Sequence, residues 1–439
     1  MNRVLTIYRG APKAQGSLGK QRDECAASEE VAPRGSGRRM LKDTCKYIIC
    51  WISNKRVLLT IITIAFLMRL FLAATFPYIW VEENEYIPLA ESISLRGESL
   101  NLPIRGWHHP ALPGYFIKAG GFLFGKNPIG FRFFGIIAGI LMIVVASRLS
   151  DIWAGPIAAR WTAVLLAFNE YHIGVSALAV DIIYYYTFAM LALYFFCRFL
   201  QKESPGYLYA SSIMIGFAFL CREIIIIFLP VFVMCLLSSR YRSWFKRKEP
   251  YLAFFVFFLI ISPDLCWNVT TKENNQVRLI DHLSRIGGLG FTPNYLLFYA
   301  RDIFRRFGWQ YFLDGYAEFP TMNMVFGAIF IGCVIRETLR IKWEDPVRNL
   351  MLLTFWVILV FFMLIRPGMN MSRRLDDNFG WLWIDLTLLP AILLTGSCVA
   401  SLEKNWKTLA YIAISAGILY AIVRVLTAQF IDPNVWEKF

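Results

Sequence analysis

Apolar runs of about 20 residues recur along most of this chain, and each is long enough to cross a hydrocarbon core about 30 Å thick as a helix. Hydrophobic residues make up 57% of the 439 positions. Charged residues make up only 17%, against about 25% in ordinary soluble domains. A soluble fold cannot bury that much apolar surface, so the sequence predicts an all-α polytopic membrane protein.

Hydropathy places about eleven spans in the chain. Their predicted bounds are 56–78, 129–149, 153–168, 182–200, 206–220, 223–238, 250–266, 321–339, 348–366, 381–399 and 406–428. Residues 46–439 therefore form the predicted transmembrane domain. Residues 1–45 are polar and rich in Gly, Ser and charge, which predicts a disordered basic cytoplasmic segment rather than a signal peptide. Either Met1 or Met40 could be the true start.

Loop charges set the predicted orientation. Lys and Arg residues precede the first span, and the basic sequence RYRSWFKRKEP follows the sixth, so both are placed in the cytoplasm by the positive-inside rule. The outer loops are then 80–128, 267–320 and 366–379, and the C-terminus is outside. All four histidines also fall outside: His108, His109, His172 and His282. Because polar residues gather on one face, the pattern favours a site rather than a conduit.

Two other classes of function are disfavoured. The net charge is +14, but the basic residues are scattered over short loops and build no single basic face, which argues against a nucleic-acid partner. The nine cysteines contain no Cys-x-x-Cys pair and lie mostly in apolar runs, so neither a disulfide framework nor a zinc site is predicted.

The first outer loop opens with the acidic sequence WVEENEYIPLAES. Its residues Tyr86, Leu89, Ala90 and Ile93 share one face at helical spacing, which predicts a short amphipathic helix along the membrane surface. A second apolar surface helix is predicted further along the same loop, in the sequence ALPGYFIKAGGFLFG.

The adjacent acids Glu82 and Glu83 have three interpretations. They could belong to a solvated loop, bind a cation, or include a general base that accepts a hydroxyl proton while its neighbour orients the site. Two adjacent carboxylates raise each other's pKa, which suits a base that works near neutral pH.

Two further charged residues lie at predicted membrane depth on the same face, where ionisable groups are costly and usually functional. Asp181 begins the fourth span, where it could instead cap the helix. Arg222 lies between two short spans, where its planar donor fork suits a phosphate, although it could instead be an interfacial anchor or pair with Glu223. The remaining outer-face cations favour an anionic partner, unless nearby acids pair with them. They are Lys272, Arg278, Arg285, Arg373 and Arg374.

In the order of its motifs, the chain resembles the GT-C superfamily of polyprenyl-phosphate-dependent glycosyltransferases. It is similar to the bacterial relatives of protein O-mannosyltransferases and of the lipid A aminoarabinose transferase. The segments that carry this resemblance are EENEY, LAESI, HHPALPGYFIKAGGFLFG, NPIGFRFFGIIAGIL, LAVDIIYYYTFAMLALYFF, GFAFLCREIIIIFLP and SPDLCWNVTTKENNQVRL. They cover residues 50–310, and the likeness is loose beyond.

The resemblance implies an enzyme of the bacterial inner membrane whose active site faces the periplasm. It would move a sugar from a polyprenyl monophosphate to a hydroxyl of a glycan, lipid or protein, with inversion at the sugar. The implied catalytic residues are Glu82 as base, with Glu83 and Asp181 orienting substrate. The implied substrate-binding residues are Tyr86, Arg105, His108, His109, Arg222, Lys272, Arg278, Arg285 and Arg374.

One departure from the family concerns the base. The family carries an Asp where this chain has Glu82, one methylene longer, so Glu83 and Glu85 remain alternative bases. No cofactor is required by the resemblance, and the two adjacent histidines are expected to form hydrogen bonds rather than bind a metal. The alternatives are a transporter or flippase, which should show internal repeats that are not evident here, and a non-catalytic polyprenyl-lipid-binding relative.

Overall fold

The computed structural model describes residues 55–76, 83–93, 110–238, 240–270, 286–289, 320–340, 345–367, 388–402 and 404–427. Contacts divide the chain after Val57, and everything below concerns the unit Leu58–Phe439. The predicted disordered segment 1–45 lies outside the described residues.

The described residues are helical apart from two short strands. In chain order the elements are α1 (Lys55–Thr75), α2 (Glu83–Ser92), α3 (Leu112–Phe124), α4 (Pro128–Ala167), α5 (Glu170–Ala177), α6 (Ile182–Lys202), α7 (Pro205–Phe219), a 3-10 turn (Glu223–Ile227), α8 (Phe228–Leu237), a second 3-10 turn (Arg242–Lys246), α9 (Glu249–Thr270), β1 (Ile286–Leu289), α10 (Pro320–Leu339), α11 (Pro346–Leu364), β2 (Ile365–Pro367), α12 (Leu388–Ala400) and α13 (Lys404–Thr427). The predicted helical class is confirmed.

Each of the eleven predicted spans overlaps a described helix. Within the described residues, four helical segments are long and apolar enough to cross a membrane, namely Arg56–Thr75, Pro128–Ala167, Ile182–Lys202 and Glu249–Cys266. Shorter apolar helices cover Glu223–Leu237, Pro346–Val360, Leu389–Ala400 and Ala410–Leu419. The number of membrane crossings stays a prediction.

The 40-residue helix α4 contains both the second and the third predicted span. At 1.5 Å per residue it would be about 60 Å long, twice the hydrocarbon thickness. It is broken at Gly155, whose φ of 83° is left-handed, and Pro156 follows directly. Left-handed backbone favours glycine, and proline cannot donate the next helical hydrogen bond, so the sequence itself encodes the kink. The kink replaces the loop predicted between these spans.

Both helices predicted within residues 80–128 form, and their location at the membrane surface stays a prediction. In α2 the side chains of Tyr86, Leu89, Ala90 and Ile93 are all buried, which confirms the amphipathic face. Helix α2 packs on α3, and α3 packs on α4. A methyl group on Gly130 of α4 would lie 1.9 Å from the Gly125 carbonyl oxygen, so only glycine allows this close approach.

A two-stranded antiparallel ribbon joins β1 to β2, with Gly288 opposite Arg366. The sequence analysis did not predict these strands. They connect the outer loop predicted at 267–320 with the start of the loop predicted at 366–379. Hydrogen bonds between these segments require them to lie on the same side of the bundle, in agreement with the predicted topology.

Candidate active site

The acidic segment of the first outer loop is bound to α4 through Glu83. This residue begins α2 and is fully buried, and its two carboxylate oxygens accept hydrogen bonds from Arg132 Nε at 2.9 Å and Nη2 at 2.8 Å. Arg132 Nη1 donates to the carbonyl oxygens of Ala73 and Phe76 at the end of α1. A two-pronged pairing of this kind fixes both position and orientation, so Arg132 ties α1, α2 and α4 together.

Glu83 also holds the connection between α5 and α6. The backbone N–H of Ala179 donates to Glu83 Oε1 at 2.7 Å. This contact spans 96 positions of sequence and places the acidic segment beside the residues that precede Asp181. With both oxygens in use, Glu83 has the environment of a positioning residue rather than of a base.

Asp181 forms a buried ion pair with Arg222. Arg222 Nη1 donates to Asp181 Oδ2 at 2.6 Å, and the side chains are 7% and 0% exposed. Arg222 lies in extended backbone in the break between α7 and the first 3-10 turn. The Asp181 side chain makes no capping hydrogen bond to α6, so the helix-cap interpretation is not supported.

The second oxygen of Asp181 is the most informative atom of the site. Within the described part of the chain, Oδ1 is buried and has no hydrogen-bond partner. Buried carboxylate oxygens are almost always hydrogen-bonded. One helical turn further along, the buried Tyr184 hydroxyl likewise has no partner among these residues, and its ring stacks on Phe116 of α3 at 5.0 Å. A buried acceptor and a buried hydroxyl without partners among the described residues therefore lie one helical turn apart.

Sequence reasoning placed Tyr86 among the substrate-binding residues. Its ring lies on the buried face of α2, with 2% of its surface exposed, beside Leu89 and Ala90. Its substrate-binding role stays a prediction. The helical period that predicted the apolar face had already assigned Tyr86 to it.

Several predicted site residues lie outside the described residues: Glu82, Arg105, His108, His109, Lys272, Arg278, Arg285 and Arg374. The side chain of Glu85, the alternative base, is not described either. Their roles stay predictions. Among the described residues no group of three or more His, Cys, Asp or Glu side chains could hold a metal ion.

Sequence reasoning missed the pairing role of Arg132 and the buried residues Arg69 and His172. The available signal was a formal charge inside an apolar run, in GFRFFG for Arg132 and in FLMRLFL for Arg69. His172 was noticed only as an outer-face histidine.

Comparisons with known proteins identify the fold. Residues 108–267 match the family model described as dolichyl-phosphate-mannose-protein mannosyltransferase. The matched region contains Arg132, Asp181 and Arg222. The structure is similar to that of ArnT from Cupriavidus metallidurans bound to undecaprenyl phosphate, with a TM-score of 0.61 and 18% identity over 82% of this chain. The chain has the GT-C fold.

A second group of solved structures supports the same fold. The apo oligosaccharyltransferase of Archaeoglobus fulgidus aligns with 86% of this chain at a TM-score of 0.53 and 14% identity. The complex of AglB from the same organism with an inhibitory peptide and a dolichol-phosphate aligns with 85% at a TM-score of 0.51 and 15% identity. This GT-C chain spans 63% of the length of the ArnT chain and 56% of both oligosaccharyltransferase chains. No curated protein sequence matches it significantly.

Proposed function

We propose that this multi-pass membrane protein is a glycosyltransferase that takes a sugar from a polyprenyl-monophosphate donor and transfers it to an acceptor hydroxyl. The observation that carries the proposal is the buried Asp181–Arg222 pair, whose Asp181 Oδ1 has no partner among the described residues, on a GT-C fold. An anion and a cation side by side suit a reaction in which a hydroxyl loses a proton while a phosphate leaves.

The acceptor side of the reaction needs a base. We assign this role to Glu82, which directly precedes the buried Glu83. Glu83 itself is not assigned as the base because both of its carboxylate oxygens accept hydrogen bonds from Arg132. Asp181 then orients the acceptor or the sugar through Oδ1. Attack on the anomeric carbon opposite the phosphate inverts its configuration, the acceptor proton passes to Glu82, and the glycosidic bond electrons leave with the lipid phosphate.

The leaving side of the reaction needs positive charge. Arg222 is already desolvated, so its charge would act strongly on a phosphate that approaches Asp181. Lys272, Arg278, Arg285 and Arg374, in loops predicted on the same face, would complete the cationic side, with Arg105 and the two histidines, His108 and His109, binding hydroxyls. No metal is used in this scheme.

Solved structures that share this fold support a proposal for the donor. The matched ArnT structure contains undecaprenyl phosphate, and the matched AglB structure contains a dolichol-phosphate. We propose the same class of lipid here, with its isoprenoid tail between spans and its sugar at the extracytoplasmic face of a bacterial inner membrane. The acceptor is an envelope glycan, lipid or protein.

The test uses the purified full-length chain in detergent with a set of radiolabelled polyprenyl-monophosphate sugars and envelope extracts as acceptors. Label should move to an acceptor with wild type and fall at least about 10²-fold with Glu82→Gln, as expected when a general base is lost. The matched control is Glu91→Gln, in α2, whose carboxylate forms an exposed ion pair with Lys126. Equal transfer by both variants would remove Glu82 as the base, and transport of the intact donor across vesicles without transfer would favour a flippase.

A further inference from the structure

A second buried charge lies next to the proposed site, in a network that the proposed reaction does not use. Arg69 of α1 is fully buried. Its Nε donates to Ser176 Oγ at 2.7 Å, and its Nη1 donates to the carbonyl oxygens of Ala65 at 2.9 Å and Ala167 at 3.2 Å. Its Nη2 lies 2.7 Å from His172 Nδ1. No carboxylate among the described residues contacts it.

The Arg69–His172 contact fixes the state of the imidazole. A guanidinium has only donors, so Nδ1 of His172 must be the acceptor and must carry no proton. Burial lowers the pKa of His172 well below its ordinary value, and the Arg69 charge lowers it further, while the Leu166 carbonyl opposes this only in part. A neutral histidine therefore serves as one of the acceptors that replace water around a buried arginine.

The network holds the short helix α5 at both ends. Asn169 caps its start by accepting from the His172 N–H at 2.9 Å. Ser176, near its end, accepts from Arg69 and donates to the His172 carbonyl oxygen. Gly139 of α4 allows the close approach, since a methyl group there would lie 2.5 Å from Ser176 Cβ.

The chain leaves this network and enters the proposed site within five residues. Ser176 is bound by Arg69, Ala179 donates to Glu83, and Asp181 pairs with Arg222. The connection is thus bound on one side by a cation from α1 and on the other by the two ion pairs. A shift of α5 would move both the Ala179 N–H and the Asp181 carboxylate.

We propose that Arg69 and His172 are positioning residues that set the placement of Asp181 for the transfer reaction. The proposal rests on the proposed function for its kinetic consequence. Neither residue touches substrate in this scheme. Both act through α5 and the Ala179 peptide, and His172 acts as a hydrogen-bond acceptor rather than as an acid or a base.

The kinetic test compares two substitutions that differ in one property. His172→Phe keeps a ring but removes the acceptor, whereas His172→Asn keeps an acceptor for Arg69. We expect His172→Phe to lower kcat by 10-fold to about 10²-fold, the cost of misplacing a catalytic group by about 1 Å, with the donor KM unchanged. His172→Asn should restore kcat to near the wild-type value. A kcat for His172→Phe within twofold of wild type, or no rescue by Asn, would overturn the proposal.

A second readout does not depend on transfer. Amide hydrogen exchange over 175–184 should be faster in His172→Phe than in wild type, because the Ala179 N–H loses its fixed partner. Ser176→Ala is a milder change that removes one acceptor of Arg69, and it replaces His172→Phe if that variant does not fold. It should give a smaller increase in the exchange rate. The control is Ser211→Ala, which removes a buried hydroxyl of α7 that donates to the Ala192 carbonyl oxygen of α6. If exchange is unchanged in both His172→Phe and Ser176→Ala, the positioning role is refuted even if the wild-type protein transfers sugar. If the wild-type protein transfers no sugar, only the proposed function is refuted.

Discussion

Glu83 and Asp181 are fully buried carboxylates, and each is bound by an arginine. Burying a single charge costs several kcal/mol, and a buried pair returns this cost only when its geometry is good and its remaining atoms are hydrogen-bonded. The Glu83–Arg132 pair meets this condition through Ala73, Phe76 and Ala179. The Asp181–Arg222 pair does not, since Asp181 Oδ1 is unmatched among the described residues. We therefore propose a structural role for the Glu83–Arg132 pair and a role in the transfer reaction for the Asp181–Arg222 pair.

This assignment predicts a large stability effect at Arg132. Arg132→Met leaves Glu83 buried without its cation and should lower the free energy of unfolding by about 3–5 kcal/mol. Denaturant titration in mixed micelles measures this quantity. Lys126→Met, which breaks the exposed pair with Glu91, is the control and should cost at most about 1 kcal/mol. The double variant Glu83→Gln with Arg132→Met should regain part of the loss, and equal stabilities for Arg132→Met and Lys126→Met would contradict a structural role.

At the scale of elements, the site depends on the short helix α5 and on the connection that follows it. Two glycines of α4 leave room for this segment: a methyl group at Gly135 would lie 3.0 Å from the Leu178 carbonyl oxygen, and one at Gly139 would collide with Ser176. Arg69 of α1 binds this segment through Ser176 and His172. The position of the α5–α6 connection is thus set by helix packing rather than by the connection's own sequence.

His172 gives this junction a pH dependence. Its pKa is held well below 6.5 in the folded protein, whereas the unfolded chain takes up a proton near 6.5. Below about pH 6.5 the unfolded state therefore binds more protons than the folded state. The contribution of His172 to the free energy of unfolding is constant above this pH and falls below it, by up to about 1.4 kcal/mol per pH unit. Thermal unfolding of detergent-solubilised protein between pH 7.5 and 5 should show this fall, and His172→Gln should be flatter. Parallel curves for the two proteins would be inconsistent with a buried neutral histidine.

The sequence predicted the positions of the helices better than it predicted which charged side chains pair. Apolar period and length sufficed for every helix that overlaps a predicted span, and for the buried face of α2. The Asp181–Arg222 pair joins residues 41 positions apart, and the Glu83–Arg132 pair joins residues 49 apart. Such pairings depend on how helices pack, which leaves no local pattern. The sequence could therefore indicate that charges at membrane depth have a role without indicating which charge meets which.

At the scale of the molecule, connections from distant parts of the chain converge. Glu83 from the first outer loop meets the α5–α6 connection, Arg222 reaches that connection from the α7 break, and the β1–β2 ribbon joins two later outer loops. These contacts agree with a topology in which the loops share one face. The basic loop after α8 is predicted on the other face, where Arg247 lies over the ring of Trp244.

Cysteine labelling in intact cells tests this topology. Leu375→Cys, in the predicted outer loop 366–379, should react with a membrane-impermeant maleimide added from outside. Ser243→Cys, in the exposed basic loop after α8, is the matched position and should react only after permeabilisation. Labelling of Ser243→Cys but not of Leu375→Cys in intact cells would reverse the orientation.

The central claim is that Asp181, bound by Arg222, belongs to the reaction centre of a sugar transferase. Its most direct test is turnover of a polyprenyl-monophosphate sugar by purified Asp181→Asn, which keeps the shape and an acceptor for Arg222 but loses the charge. We expect kcat of Asp181→Asn to fall by at least about 10²-fold, with unchanged elution on size exclusion. Turnover close to that of wild type would contradict it.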